Sequence, residues 1–217
     1  MVRWGIQRKV TNKIMAIGAH PDDIELGCGG TIVKHLEAGD EVFVIIMTEG
    51  EQGGHALNRE ECLNSLDLLG IQPQNIFFGS FPDGSLTDNN HAVNFIEEII
   101  NRYGITKVYT HYPGDRHQDH RNCSNAVSSA ARRIPEILLF EGPSTNVSFE
   151  PHYFIELSEE QIKKKVDSLG CYKSQINKES INLPWVVSLA KTHTTKTFAK
   201  YSEAFAINHI LKKDKDV

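Results

Sequence analysis

The chain has 217 residues, 40% of them hydrophobic, and a formal net charge of −5 at pH 7. This length is sufficient for a sizeable core, and it fits one α/β domain over residues 1–217 better than two small ones. The negative charge argues against a nucleic-acid-binding protein, and no apolar run approaches the ~20 residues that a membrane span requires.

The four cysteines indicate neither a thiolate zinc site nor a disulfide framework. Cys28, Cys62, Cys123 and Cys171 lie far apart and form no C-x-x-C pair, which suits a reducing compartment. The N-terminal residues MVRWGIQRKVTNK lack the apolar segment of a secretory signal. We therefore expect a cytoplasmic protein. The sequence does not determine the number of subunits, and it is compatible with a homo-oligomer.

The first predicted elements are a strand at 14–19 and a helix at 25–38, separated by the turn sequence HPDD. Open α/β sheets bind ligands at such strand-to-helix turns. His20 and Asp23 are three positions apart and can point the same way once the chain begins to coil, with Pro21 stiffening the turn. The alternative is a simple capped turn, because aspartate readily accepts hydrogen bonds from the first amides of a helix.

The next segment, EVFVIIMT, is a nearly continuous apolar run typical of a central parallel strand. The polar, Gly-rich segment TEGEQGGHAL follows it and either covers a substrate or forms an ordinary connection. Asn58 is predicted to cap a helix that Gly70 ends. Arg59 would lie in the first turn, where the helix dipole disfavours a cation, which suggests another role or an ion pair with Glu51 or a neighbour.

A third strand is predicted at NIFFG, followed by a loop with a turn at Asp83. Asn89 or Asn90 should cap a helix that continues to Tyr103. The buried stripe of that helix is predicted to consist of Val93, Ile96, Ile99 and Ile100.

The fourth predicted strand, KVYTH, leads into a cluster of potential metal ligands. These are His111, Asp115, His117, Asp119 and His120. Because parallel strands bring their C-terminal ends to one edge of a sheet, this cluster should meet the turn that carries His20. A mixed set of three His and Asp ligands with an open fourth position suits a catalytic zinc, and it would also accept Fe²⁺ or another divalent ion.

The C-terminal third is predicted to contain two strands, EILLFEGP and HYFIEL, the second of them a sixth strand or an edge strand. Ser158 and Gln161 form a capping box for a helix to Leu169. An apolar helical stretch and the segment EAFAINHIL, read as a closing strand, complete the chain. The alternation of strands and helices predicts a Rossmann-like three-layer α/β sandwich with a mostly parallel central sheet.

Two motifs also carry a family resemblance. AHPDD with GCGGT, and DRHQDHR about a hundred positions later, resemble the signature pair of the PIG-L/LmbE-like zinc-dependent deacetylases. The similarity extends through TEGEQGG, NREEC, FPDGSL and YSEAF and so covers most of the chain. It implies a metal-dependent N-deacetylase that acts on an N-acetylglucosamine-type conjugate and releases acetate and a free amino sugar.

The resemblance also implies roles for residues of the two motifs. By this similarity, zinc would be bound by His20, Asp23 and His120. Asp22, adjacent to a ligand, would be the general base that activates water.

Further roles follow from the same resemblance. His117, held by a carboxylate such as that of Asp119, would be positively charged, stabilise the intermediate and protonate the leaving amine. Arg59 and Asp83 would contact the substrate, and Glu203 in YSEAF would have a supporting role.

One segment departs from the commonest pattern of the family. Many members have arginines where this chain reads TEGEQGGHAL, with Glu49 in place of the first arginine. An anionic substrate would therefore lose a natural partner unless Arg59 or Arg116 compensates.

Two other classes of function fit parts of the sequence. A Rossmann nucleotide-binding protein is suggested by Gly27, Gly29 and Gly30 after a strand, although Ile32 stands where the last glycine of G-x-G-x-x-G should be. A zinc-binding regulatory module without turnover would keep the metal ligands, although retention of Asp22 speaks against it.

Overall fold

The computed structural model describes residues 11–50, 59–176 and 181–211. Its strands are β1 (Lys13–Gly18), β2 (Glu41–Thr48), β3 (Ile76–Phe81), β4 (Lys107–His111), β5 (Glu136–Phe140), β6 (Tyr153–Leu157) and β7 (Tyr201–Ile210). They form one sheet in the order β3-β2-β1-β4-β5-β7-β6. The first five strands in this order are mutually parallel, and β7 runs antiparallel to both of its neighbours.

Helices cover both faces of the sheet. They are α1 (Asp23–Glu37), α2 (Arg59–Leu69), α3 (Asn90–Tyr103), α4 (Gln118–Ala130), α5 (Glu159–Leu169), α6 (Lys173–Ile176) and α7 (Leu183–Thr192). One apolar cluster joins α3 and α4 to one face, and a second joins α1, α2, α5 and α7 to the other. The predicted three-layer α/β fold with a mostly parallel sheet is therefore confirmed.

The centre of the sheet is the most deeply buried part of the chain. Every residue of β2 after Glu41 is buried, as its continuous apolar run predicted. On α3, Asn89 is the N-cap and its side chain accepts from the N–H groups of His91 and Ala92. Ala92 is fully buried on that helix, whereas Val93 from the predicted stripe is only partly buried.

The structure corrects two helix boundaries. α1 begins at Asp23, two residues before its predicted start, and α4 begins at Gln118, whereas the sequence predicts a helix that begins at His120. The earlier start of α4 has a local cause, because the His117 side chain accepts the N–H of Asp119 as an N-cap. The expected closing strand is β7, which lies between β5 and β6, and β6 is the sixth strand and forms an edge of the sheet, as predicted. The predicted cap residue Asn58 lies outside the described residues.

Two glycines of α1 allow the helix to pack closely against the sheet. A Cβ atom on Gly27 would lie 2.3 Å from the Phe140 ring, and one on Gly30 would lie 2.4 Å from Leu157. These contacts bring the helix close to the sheet, so both glycines are explained without a bound nucleotide. Among the described helices, none combines the length and apolar character that crossing a bilayer would require.

The helix α1 is broken at Cys28, whose φ of −145° is not helical. The break frees the N–H groups of Gly30 and Thr31, and these donate to the two carboxylate oxygens of Glu203, at 3.0 and 2.7 Å. Lys165 Nζ lies 2.6 Å from Glu203 Oε1 and 2.8 Å from the Leu26 carbonyl oxygen. The Glu203 carboxylate thus caps the amino end of the second half of α1, although it comes from a distant part of the chain. This contact gives the supporting role expected of Glu203 a structural basis.

Replacing Glu203 by glutamine should lower the free energy of unfolding by about 3–5 kcal/mol, because it leaves the buried Lys165 ammonium without its counter-charge. Both side chains are 4% exposed, so water cannot take the place of the partner. Urea unfolding followed by circular dichroism measures this loss. The double variant Lys165→Met/Glu203→Gln should be less destabilised than Glu203→Gln alone, and equal or greater destabilisation would contradict the prediction.

Candidate active site

The candidate site lies where β1 and β4 end. These strands are parallel neighbours, with Met15 aligned on Val108, so the turn after β1 and the loop after β4 meet at one edge of the sheet. His20 follows β1, Asp23 opens α1, and His120 lies in the first turn of α4. The two segments that sequence analysis singled out are therefore adjacent in space.

Three candidate ligand groups converge at the centre of this site: one nitrogen of His20, one nitrogen of His120 and the carboxylate of Asp23. His20 Nδ1 is 3.2 Å from His120 Nε2 and 3.4 Å from the nearer carboxylate oxygen of Asp23. His120 Nε2 is 3.3 Å from the other oxygen of Asp23. Tetrahedral zinc with bonds of about 2.0–2.1 Å holds its ligand atoms roughly 3.3–3.4 Å apart, so the separations within this triangle of ligand groups have the size that zinc requires.

Other ligand sets overlap this triangle. Three groups of described residues bring potential ligand atoms within 4.8 Å of one another: His20 with His117 and His120, Asp23 with His111 and His120, and His20 with Asp83 and Asp119. The orientation of the rings distinguishes between these sets.

The rings of His111 and His117 are poorly oriented for sharing an ion with His120. They lie nearly parallel to the His120 ring, at interplanar angles of 15° and 22°. A nitrogen lone pair lies in the plane of its ring, so the lone pairs of stacked rings lie in nearly parallel planes that do not meet at one ion. The rings of His20 and His120 are tilted by 55°, so their lone pairs can converge.

The second ring nitrogen of each candidate ligand is held by an oxygen. His20 Nε2 lies 3.1 Å from Asp83 Oδ1 and 3.3 Å from Asp119 Oδ2. His120 Nδ1 lies 3.3 Å from Asp115 Oδ1 and 3.2 Å from Ser144 Oγ. Metal-binding histidines commonly donate their other N–H in this way, which leaves the facing nitrogen free for the ion. The pattern favours His20, Asp23 and His120 as one ligand set.

The carboxylates of the site favour a bound cation. Burial disfavours a charged His20, but the carboxylates of Asp119 and Asp23 outweigh burial and raise its pKa to about 11. For His120, burial is likewise outweighed by Asp23 and Asp115, and the pKa rises to about 9. The carboxylates thus attract positive charge to the point where the ligand atoms converge, and a metal ion would displace these protons.

Asp22 lies next to this triangle and lines the same cavity. Its backbone has φ of 84°, in the left-handed region that an aspartate seldom occupies. Burial, together with the charges of Asp23 and Glu25, raises the pKa of the Asp22 carboxyl well above its usual range. A carboxylate with a raised pKa accepts a proton more readily, which suits a general base.

The expected pairing of His117 with Asp119 is wrong. The Nδ1 atom of His117 accepts the backbone N–H of Asp119 at 3.2 Å, so it cannot donate to a carboxylate. The Asp119 carboxylate instead accepts the N–H groups of Gly84 and Leu86, at 2.7 and 3.1 Å. Burial and the neighbouring histidines, His20 first, lower the pKa of His117, which favours the neutral ring. A neutral ring whose Nδ1 accepts this N–H carries its proton on Nε2.

A family model that matches more than half of the chain shows to which family the protein belongs. Residues 15–131 match the model of the family described as PIG-L, GlcNAc-PI de-N-acetylase. The chain belongs to the PIG-L family. It is therefore a deacetylase of that family, a class of metal-dependent amidohydrolases, and its fold carries a candidate His/Asp metal site.

Two curated relatives of this PIG-L protein are deacetylases by name. The uncharacterized deacetylase YaiS of Escherichia coli K12 is 38% identical over 168 residues, which cover 74% of this chain and 90% of YaiS. The diacetylchitobiose deacetylase of Thermococcus kodakarensis is 27% identical over 219 residues, covering 88% of this chain and 81% of that enzyme.

Solved structures share the fold of this PIG-L protein. The conserved protein TT1542 from Thermus thermophilus superposes with a TM-score of 0.79 at 22% identity, covering 93% of this chain and 96% of that one. The zinc-inhibited form of teicoplanin deacetylase Orf2 has a TM-score of 0.71 at 17% identity, with coverages of 91% and 99%.

The structure separates the two predicted substrate residues of the PIG-L protein. Asp83 lines the cavity and contacts His20. Arg59 does not line it, because its guanidinium binds Glu49 Oε1 at 3.0 Å and stacks over Phe78 at 3.8 Å. The ion-pair alternative for Arg59 therefore describes its contacts, with Glu49 as the partner in place of Glu51, which lies outside the described residues.

Sequence reasoning missed polar residues that reach the cavity from elsewhere. Ser144 comes from the loop after β5, where the same strand-end argument would have pointed to it. Gln175 comes from α6 and carries no motif signal, because only the packing of that short helix brings it to the site. His111, at the end of β4, was named in the ligand cluster, and its Nε2 lies 3.1 Å from Asp23 Oδ2.

Proposed function

We propose that this protein removes the N-acetyl group from an electrically neutral N-acetylglucosamine-type conjugate, with zinc held by His20, Asp23 and His120. The single observation that carries the proposal is the triangle of ligand groups, whose nitrogen and oxygen atoms lie 3.2 to 3.4 Å apart, beside Asp22 in the same cavity. The names of the diacetylchitobiose deacetylase and the PIG-L family model support an N-acetylated amino sugar as the substrate class.

The residues around the triangle divide the chemistry between them. A bound zinc ion would supply Lewis acidity, which polarises an amide carbonyl and makes water a stronger acid near neutral pH. Asp22 takes the proton from the attacking water and returns it to the leaving nitrogen, which departs as the amine. Neutral His117 donates its Nε2–H to the carbonyl oxygen as that oxygen becomes negative. Asp119 holds His20 and the loop at Gly84 in place.

The charge of the cavity supports a neutral substrate. The cavity has a volume of about 560 Å³, and its described lining contains three aspartates, Asp22, Asp23 and Asp83, and no lysine or arginine. Arg116, the other cation that could have compensated, donates to the carbonyl oxygens of Ser144 and Pro143. An anionic group on the sugar would therefore find no lysine or arginine partner among the described residues that line the cavity.

Acetate release from matched pairs of substrates tests the proposal. Zinc-loaded and chelated protein would be incubated with N,N′-diacetylchitobiose, methyl N-acetylglucosaminide and N-acetylglucosamine 6-phosphate. We expect release that the chelator abolishes, with kcat/KM at least about tenfold higher for the neutral sugars, because the described lining offers a phosphate group no lysine or arginine.

Each outcome of this assay has a distinct meaning. Equal or better use of the phosphorylated sugar would contradict the neutral substrate class. Absence of acetate from every sugar, in protein shown to contain one zinc per chain, would contradict the deacetylase and favour the zinc-binding module without turnover.

A further inference from the structure

A fully buried tyrosine outside the cavity contacts the backbone of the proposed base. Tyr172 follows α5 and is separated from Asp22 by 150 positions in the chain. Its hydroxyl oxygen accepts the backbone N–H of Asp22 at 3.1 Å. The same hydroxyl donates to Glu25 Oε1 at 2.7 Å. Neither Tyr172 nor Glu25 lines the cavity, so neither can contact the substrate in the described structure.

The Asp22 backbone requires support of this kind. Its left-handed φ of 84° belongs to a conformation that non-glycine residues keep only where the surrounding structure holds them. On its C-terminal side, the Asp22 carbonyl oxygen accepts the N–H of Leu26 at 2.9 Å, inside α1. On its N-terminal side, the Tyr172 hydroxyl is the partner of the Asp22 N–H. Asp22 is thus anchored to the helix by one bond and to Tyr172 by the other.

Glu25 sets the direction of the tyrosine hydroxyl. Its carboxylate is 1% exposed and accepts from Ser65 Oγ at 2.6 Å as well as from Tyr172. Since the tyrosine proton points to Glu25, a lone pair of the hydroxyl oxygen remains for the Asp22 N–H. A continuous chain of hydrogen bonds therefore runs from Ser65 on α2 through Glu25 and Tyr172 to the backbone of Asp22.

We propose that Tyr172 and Glu25 are positioning residues that hold the strained peptide of Asp22, so that its carboxylate stays directed at the reacting water. This inference rests on the proposed role of Asp22 as general base. The metal ligands are held by other groups, Asp83, Asp115 and Asp119 among them, so loss of the tyrosine hydroxyl should disturb the base without disturbing the ion.

The variant Tyr172→Phe tests the inference because it removes only the hydroxyl. We expect kcat to fall about 10–100-fold, since small displacements of a catalytic group have effects of this size, while KM and zinc affinity stay within about twofold. The matched control is Tyr109→Phe, in which an equally buried tyrosine loses a hydroxyl that contacts His35 Nε2 at 2.9 Å. That control should retain the kcat of the wild type.

The partner carboxylate provides a second test. Glu25→Gln keeps an oxygen that can accept from Tyr172, whereas Glu25→Ala removes it. We expect the glutamine variant to retain a kcat at least about tenfold above that of the alanine variant, in line with the effect expected for Tyr172→Phe. Equal kcat values in the two Glu25 variants would contradict a role that depends on the acceptor oxygen.

Hydrogen exchange of the Asp22 amide, followed by NMR, makes the test independent of activity. We expect exchange to accelerate at least about tenfold in Tyr172→Phe and to stay unchanged in Tyr109→Phe, because only the first loses the partner of this N–H. An active wild type with unchanged kcat in Tyr172→Phe, or unchanged exchange of the Asp22 amide, would overturn the inference. A wild type that releases no acetate would instead overturn the proposed deacetylation, while the exchange rates would still decide whether Tyr172 holds Asp22.

Discussion

Replacing Asp22 by asparagine should lower kcat by about 10²–10⁴-fold, the usual contribution of a general base. Asparagine has nearly the same shape as aspartate and preserves the backbone bonds to Leu26 and Tyr172, but it cannot accept the proton of the attacking water. Because Asp22 is not among the three proposed ligands, the variant should still bind one zinc ion per chain. Initial rates of acetate release, together with the zinc content of the same samples, measure both quantities.

The control for Asp22→Asn is the same substitution at a distant carboxylate. Asp40 follows the C-terminal end of α1, away from the cavity, and its carboxylate lies 2.7 Å from His35 Nδ1. The variant Asp40→Asn should therefore keep the wild-type kcat. If Asp22→Asn kept more than half of the wild-type rate with its zinc bound, Asp22 would not be the base.

Replacing His120 by alanine should abolish both zinc binding and turnover. The loss of one of three ligands should weaken zinc binding by more than the ~10–100-fold typical of losing an outer partner of a ligand. His120 Nε2 lies 3.2 Å from His20 Nδ1 and 3.3 Å from Asp23 Oδ1, so the variant removes one of the three groups that would hold the ion. Competition with a chromogenic chelator measures the change in affinity.

Two further alanine variants make the His120 result specific. His111→Ala removes a contact to Asp23 and should fall in the ~10–100-fold range, whereas His117→Ala should keep its zinc and lose activity only. The same measurements test the two overlapping ligand sets that contain His111 or His117. If one of those sets bound the ion, its histidine variant would show a loss of zinc affinity as large as that of His120→Ala. An active, fully zinc-loaded His120→Ala protein would rule out the assignment.

The fold and the centre of the site could be predicted because both depend on local sequence patterns. The apolar run of β2 and the capping box at Ser158 specify elements over a few residues, and both are present in the structure. The convergence of the two motifs followed from a general property of parallel sheets, namely that strand ends meet at one edge.

Features that depend on distant partners could not be predicted. The Asp119 carboxylate accepts the N–H groups of Gly84 and Leu86, which lie 35 and 33 positions earlier in the chain. Because Asp119 and His117 are close in the sequence, local reasoning paired them and could not reveal these distant partners. The role of Glu203 depends on a break in α1 more than 170 positions away. Gln175 and Tyr172 reach the site only because the segment after α5 packs beside α1.

The position of β7 has a consequence for how the protein is made. Among the described strands, the other six are synthesised first, and β6 has no neighbour in the sheet until β7 inserts beside β5. The same late strand carries Glu203, so Lys165 and the broken helix α1 obtain this partner only after β7 has been synthesised. Pairing between such distant segments is slow, which leaves a nascent chain with an open sheet edge that a chaperone could protect. The turn that carries Asp22 begins that helix, so the final arrangement of the candidate site depends on the strand that is synthesised last among those described.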